Sequence, residues 1–242
     1  MKILGIDIGG SGIKGAVINT ATGAMVTDRH RLPTPEPSTP KAVAHAVARM
    51  VRHFDWSGRV GIGMPGPIKG GRVMTANNIH TSWIGTKAAQ LYAEATGCRV
   101  SVINDADAAG LAEMRFGAGR GETGVVLVIT LGTGIGSSMF LDGVLVPNIE
   151  LGQIEVRGKN AELRASARIR KAKDLTWEQY GRAVDEYLRS VEWLTWPDLF
   201  ILGGGVSRKA GKFLPRIHTR ARVVPARLRN EAGIVGAALS SL

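Results

Sequence analysis

The stretch VINDADAAG, Val102–Gly110, sets an asparagine and an aspartate where an apolar run gives way to an alanine-rich one. The pattern predicts a strand ending in Asn104-Asp105 and a helix that follows at once. A carboxylate near a helix N-terminus is favoured in its ionised form by the helix dipole. Such a carboxylate can take the proton from a hydroxyl as that hydroxyl attacks phosphorus. The competing reading is a simple helix cap, the commoner fate of an aspartate in this place.

Phosphate handling has its own signature in the chain. ILGIDIGGSGIKGAVI, Ile3–Ile18, reads as two apolar strands joined by a turn with Gly9, Gly10 and Gly12, and with Asp7 at its edge. LVITLGTGIGSSMF, Leu127–Phe140, repeats that plan, with Thr130-Leu131-Gly132 falling on Asp7-Ile8-Gly9. ILGGGVS, Ile201–Ser207, supplies another strand followed by glycines. A glycine turn lets backbone approach a ligand and aim several N–H groups at one place, which suits a phosphate. A lone glycine hairpin is usually only a turn; the matched pair and the third turn together form a kinase-like pattern. In NIELGQIEVRG, Glu150, Gln153 and Glu155 form a polar run that suits a polyhydroxyl ligand, or equally a solvated loop.

These residues need a frame. Strands are predicted at Lys2–Ile8, Ile13–Asn19 and Ala24–Leu32, joined by glycine turns. PTPEPSTP, Pro33–Pro40, is a rigid connector, and Thr39-Pro40 opens a helix with a cap and a first-turn proline. Val43, Ala46, Val47, Met50, Val51 and Phe54 give that helix one apolar face. RVGIGM and CRVSVI read as strands flanking a Thr86–Thr96 helix that stops at Gly97. GVVLVIT, IGSSMFL and LFILGG are further strands. Thr176 and Gln179 form a capping box for a helix over Trp177–Leu194, and EAGIVGAALS closes the chain as a helix. Strand meanders mixed with βα segments indicate an α/β protein.

The chain has 242 residues, enough for one large core or two modest ones. No stretch is long and apolar enough to span a bilayer, and the first strand begins within two residues of the N-terminus. No signal peptide is expected, and the protein reads as cytoplasmic. Its one cysteine, Cys98, excludes an internal disulfide and a cysteine zinc cluster. The net charge of +11 suggests a polyanionic partner, or serves general solubility.

DIGGSGIKGAVI, GMPGPIKGG, NDADAAGLAEMRFGAGRG, VITLGTGIGSSMF, ELGQIEVRGKNAE and LFILGGGVS, in this order along nearly the whole chain, resemble the ROK family of sugar kinases. The resemblance is strongest to its actinobacterial polyphosphate-using glucokinase and glucomannokinase branch. It implies the actin-like sugar-kinase (ASKHA) fold: two α/β domains around a central cleft, spanning 1–104 with 230–242, and 105–229. It implies magnesium, glucose, inorganic polyphosphate and ATP as the alternative donor, no zinc, and a homodimer without nucleic-acid or membrane partners.

Carried onto this sequence, Asp105 matches the catalytic base. The sugar site comprises Gly66, Asn78, Asn104, Asp105, Glu150, Gln153 and Glu162. The phosphate side comprises Asp7, Gly9, Gly10, Ser11, Lys14, Thr133, Gly134, Gly204 and Gly205, with Asp7 holding magnesium through water. Two departures stand out. The family's cysteine zinc motif is missing, as in the polyphosphate-using branch. Gln153 replaces a histidine that contacts the sugar; an amide still exchanges hydrogen bonds with hydroxyls but carries no titratable proton.

From Leu199 to Asn230 there is no acid and there are eight Lys or Arg, more than an ATP site needs. Surplus charge near the glycine turns favours a long phosphate polymer. Against nucleic acid, the basic runs carry almost no aromatics for base stacking, and no helix-turn-helix precedes the first strand. A solvated basic face is the other reading. The sequence thus predicts phosphoryl transfer from polyphosphate to the 6-hydroxyl of glucose. The alternatives are an ATP-dependent glucokinase or mannokinase, and a sugar sensor with weakened chemistry.

Overall fold

The computed structural model describes residues 1–77 and 79–242, so the sugar-site residue Asn78 lies outside the described residues. The chain divides into two compact units, Met1–Ala112 with Glu231–Leu242, and Glu113–Asn230. Among the described residues no helix is long and apolar enough to cross a membrane.

The first unit is built on β1 (Lys2–Gly9), β2 (Gly12–Asn19), β3 (His30–Leu32), α1 (Pro40–His53), β4 (Arg59–Met64), the short pair β5 (Ile68–Lys69) and β6 (Arg72–Val73), α2 (Ala88–Thr96), β7 (Arg99–Asn104) and the start of α3 (Asp105–Phe116). Its main sheet has the order β3-β2-β1-β4-β7, antiparallel from β3 to β1 and parallel from β1 to β7. The Thr39 side chain caps α1 by accepting from the Ala42 amide, and Val43, Val47 and Met50 are fully buried against the sheet. Each such side chain contributes roughly 1.5–3 kcal/mol through burial.

Two predicted elements are shorter than their sequence suggests. The strand expected over Ala24–Leu32 is reduced to β3, with one bridge between Ile18 and Met25. The cause is Thr27, whose Oγ1 accepts from the Val17 amide at 3.0 Å and takes the place of a backbone partner. The helix expected from Thr86 starts at Ala88, because the Thr86 amide closes a 3-10 turn onto the Trp83 carbonyl.

The second unit holds β8 (Val125–Leu131), β9 (Ile135–Leu141), β10 (Val144–Val146), the small pair β11 (Glu155–Val156) and β12 (Lys159–Asn160), α4 (Glu162–Ala165), α5 (Ala167–Ala172), α6 (Trp177–Thr195), β13 (Leu199–Gly203) and β14 (Arg222–Pro225). Its sheet order is β10-β9-β8-β13-β14, again antiparallel then parallel. The two sheets therefore share one plan, as the echo between their glycine hairpins suggested. The Thr176–Gln179 capping box opens α6 as expected, and Tyr180, Val184, Tyr187, Leu188 and Val191 bury its inner face. After β13 the chain forms a 3-10 helix, Gly205–Lys212, broken at Lys209.

The last helix, α7 (Ala232–Leu239), returns to the first unit and packs on β1 and β4. Gly5 and Gly61 make this possible. A Cβ on either would overlap the Ile234 or Ala237 carbonyl of α7. Helix and sheet thus meet backbone to backbone.

Candidate active site

In an α/β sheet, ligands are taken at the carboxyl ends of the parallel strands. In the first unit those ends carry the Gly9–Gly12 turn after β1, Gly66 two residues beyond β4, and Asn104-Asp105 after β7. Gly66 has φ +96° and lies against the Thr75 carbonyl, which a Cβ would meet at 2.9 Å. Only glycine fits that backbone without strain.

At the end of β7 the capping role falls to Asn104 rather than to Asp105. Asn104 is buried, and its Oδ1 accepts from the amides of Ala106 at 2.8 Å and Asp107 at 3.1 Å. Asp105, partly exposed, is the first residue of α3, and its Oδ1 accepts from the Ala106 amide at 2.8 Å.

In the first hairpin, Asp7 and Lys14 are register partners on β1 and β2, and Lys14 Nζ lies 3.2 Å from Asp7 Oδ2. The residues expected to serve magnesium and phosphate thus hold one another. The turn itself is braced from outside. Thr34 Oγ1 donates to the Gly9 carbonyl at 2.6 Å, and Arg31 Nη2 donates to the Ser11 carbonyl at 2.7 Å. Those two bonds leave the Gly9 and Ser11 carbonyls occupied by the protein's own donors. Gly233 of α7 lies over the Asp7 carboxylate, where a Cβ would come within 2.9 Å of Cγ.

In the second unit, the Gly132–Gly134 turn after β8 closes on itself through a bond from the Gly132 amide to the Gly134 carbonyl. Arg168 clamps it. Its amide donates to the Gly132 carbonyl at 3.1 Å and its Nε to the Thr133 carbonyl at 3.0 Å. Gly204, φ +81°, follows β13 and rests on the backbone of Leu131, which leaves no space for a Cβ. That contact sets the Thr133-Gly134 and Gly204-Gly205 turns side by side.

The polar run beyond β10 is also ordered. Ser137 of β9, 3% exposed, donates to the Ile149 carbonyl at 2.6 Å and accepts from the Leu151 amide at 2.8 Å. One hydroxyl therefore fixes the backbone on both sides of Glu150. Gln153 is exposed, and its Oε1 accepts from Asn160 Nδ2 at 2.8 Å. Asn160 Oδ1 in turn accepts from the Glu162 amide at 2.9 Å, and Glu162 Oε2 accepts from the Ile135 amide at 3.0 Å. Gln153, Asn160 and Glu162 form one relay that ends at the glycine hairpin. Glu155 pairs with Asn160 in the short β11–β12 ladder.

The basic run after Leu199 is less open than its composition suggests. Arg222 pairs with Glu122 at 2.6 Å and Arg216 with Glu178 at 3.3 Å. Arg220 donates to the Pro197 carbonyl and lies 5.0 Å over the Trp196 ring.

Sequence reasoning missed Ser137 and Asn160. Ser137 sits in the small-residue return strand next to the glycine turn, and that is its one local signal. Asn160 acts through contacts set by the fold.

The sequence profile of the ROK family matches residues 3–147. A polyphosphate glucokinase of Mycobacterium tuberculosis is 49% identical over 239 residues, 98% of this chain and 90% of that protein. The crystal structure of an inorganic polyphosphate/ATP-glucomannokinase from Arthrobacter sp. strain KM superposes with a TM-score of 0.95 at 49% identity, covering 98% of this chain and 97% of the other. A ROK family glucokinase from Streptomyces griseus, solved with glucose and AMPPNP, gives a TM-score of 0.86 at 26% identity, over 100% and 99% of the two chains. These neighbours are sugar kinases of the actin-like fold, and the repeated hairpin-and-parallel sheet plan is the form it takes here. By profile, identity and fold together, the chain belongs to the ROK family.

Proposed function

We propose that the chain transfers the terminal phosphoryl group of inorganic polyphosphate to the 6-hydroxyl of glucose, giving glucose 6-phosphate, with ATP as the second donor. The observation that carries this reading is the placement of Asp105 and the glycine turns at the carboxyl ends of the parallel strands of their units. The likeness to polyphosphate-using kinases at 49% identity supports the choice of donor and acceptor.

In this mechanism Asp105 takes the proton of the 6-hydroxyl. The freed oxygen forms a bond to the terminal phosphorus, and the bond from that phosphorus to the bridging oxygen breaks. Polyphosphate leaves one unit shorter. Asn104, Gly66, Glu150, Gln153 and Glu162 are assigned to the sugar. The Gly9–Ser11, Thr133-Gly134 and Gly204-Gly205 turns stabilise the phosphate charge through their amides, and Lys14 adds a cation. Magnesium bound through water at Asp7 would neutralise donor charge there, and one carboxylate plus substrate phosphates suits that ion. The homodimer rests on the family resemblance, and the cytoplasmic setting on the composition of the sequence.

The deciding experiment supplies purified protein with glucose, magnesium and either polyphosphate or ATP, and measures glucose 6-phosphate. Polyphosphate is expected to support transfer. Sugar binding without product from either donor would favour the sensor reading instead.

A further inference from the structure

Glu113 is 1% exposed and has no part in the site described above. It lies in the second half of α3 and forms no ion pair among the described residues. Backbone amides fill its carboxylate instead. Oε2 accepts from Ala118 at 2.8 Å and from Arg227 at 3.1 Å, and Oε1 accepts from Leu228 at 2.7 Å. Gly117 leaves the space for this, since a Cβ there would overlap Oε2. A carboxylate taken out of water needs its acceptor sites occupied, and three N–H groups do so here.

The three donors come from two distant parts of the chain. Ala118 lies just beyond the end of α3, whereas Arg227 and Leu228 lie in the segment that leads into α7. One side chain therefore ties the far end of α3 to the approach of α7. The next residue, Arg229, has φ +52°, a left-handed backbone that is unfavourable for a residue with a Cβ. Such a conformation persists where its neighbours hold it, and the two bonds to Glu113 come immediately before it.

α3 and α7 also meet directly. Gly236 of α7 rests on the Ala108 carbonyl of α3 with no space for a Cβ. Both helices seat on Gly63 of β4, where a Cβ would lie 3.7 Å from Asp105 Cα and 3.8 Å from Ala237 Cβ. Neither helix can shift without pressing on the other's backbone. α3 begins with Asp105, and α7 carries Gly233 over the Asp7 carboxylate.

We propose that Glu113 is a positioning residue for phosphoryl transfer. By holding the approach to α7 against the end of α3, its carboxylate fixes these two helices to one another and so fixes the placement of Asp105 relative to Asp7. The inference rests on the proposed function and adds to it a buried residue outside the sugar and phosphate sites.

The test uses the full chain with Glu113→Gln, nearly the same in shape but with an NH2 turned on an amide donor in place of one oxygen. Reacting groups misplaced by about 1 Å can lose about a hundredfold in rate. With polyphosphate and glucose, kcat is expected to fall at least about tenfold while the KM of each substrate stays within about threefold. Gly117→Ala crowds the same carboxylate without removing it and is expected to give the same split. Val184→Ala, on the buried face of α6, is the control for lost stability alone: its melting temperature should fall and its kcat should hold. A Glu113→Gln variant that melts earlier but keeps the wild-type kcat overturns the positioning role, and so does a tenfold rise in both KM values. If neither Glu113→Gln nor Gly117→Ala folds while Val184→Ala does, the carboxylate determines the fold and the positioning role is lost. A wild type that forms no glucose 6-phosphate from either donor sinks the functional reading, and this inference with it; an active wild type with unaffected variants sinks this inference alone.

Discussion

Lys14 and Asp7 face each other across the first hairpin, Nζ to Oδ2 at 3.2 Å, with Gly233 closing over the carboxylate. The pair is partly exposed, and such pairs add about 0–1 kcal/mol to stability. If the first hairpin takes the donor as proposed, the lysine would hold the acid in position until phosphate arrives and then turn to the phosphate.

Lys14→Met should therefore leave the fold nearly intact, lowering the melting temperature by about 4 °C or less. The KM for polyphosphate should rise at least about tenfold, the loss of a charge-assisted contact. The KM for glucose should hardly move. Parallel rises for both substrates would remove Lys14 from the donor side.

Ser137→Ala takes away a buried hydroxyl and strands the Ile149 carbonyl and the Leu151 amide. A buried group left unpaired costs about 1–3 kcal/mol, which thermal unfolding can read. Because these two bonds bracket Glu150, the KM for glucose should rise several-fold while that for polyphosphate stays within about twofold. A variant that loses stability but keeps its glucose KM would make Ser137 structural only.

Asp105→Asn keeps the Oδ1 acceptor that meets the Ala106 amide, so α3 should start unchanged. It removes the proton acceptor. Turnover should fall by roughly 10²–10⁴-fold, the range for a lost general base, with glucose binding reduced much less. Turnover near the wild-type level would exclude Asp105 as the base.

What could be read in advance is what depends on neighbours in sequence. The capping box of Thr176 and Gln179, the proline start of α1 and the two glycine hairpins are local devices, and each forms where the pattern placed it. The third strand failed locally too, because the Thr27 side chain outcompetes a backbone partner. Part of the basic run is tied up by contacts far apart in sequence. Arg222 meets Glu122 100 positions away, a distance no composition window spans. At the site, Asp105 could be base or cap until Asn104 proved to be the cap. The relay behind Gln153 required the β11–β12 ladder to bring Asn160 alongside.

His30 gives a pH test of the fold. Its ring stacks on His53 with centroids 3.6 Å apart. Partial desolvation, then the His53 and Arg49 charges, push its pKa below 6.5. Below that value the unfolded chain binds the proton more readily than the folded one, so stability should rise with pH through this window and fall as pH drops. Melting temperatures from pH 7.5 to about 5 should show a shallower acid decline for His30→Gln than for wild type. Identical slopes would dismiss the histidine pair as a contributor.

The last prediction concerns Gln153. Its Oε1 is occupied by Asn160, whose own Oδ1 holds the Glu162 amide. If Gln153 serves the sugar as proposed, two routes are open to it: its remaining amide donors, and the steadying of Glu162 through Asn160. A double-mutant cycle separates them. Gln153→Ala and Asn160→Ala should each raise the KM for glucose several-fold. If the relay transmits, the double variant should cost less than the sum of the two, with a coupling of about 0.5–1 kcal/mol, the size of one exposed hydrogen bond. Restoring a histidine by Gln153→His should recover hydroxyl contact yet disturb the Asn160 bond, so its gain in glucose affinity should grow once Asn160→Ala is already present. Strict additivity across the cycle would mean that Gln153 meets the sugar alone, and that the relay only orders the loop.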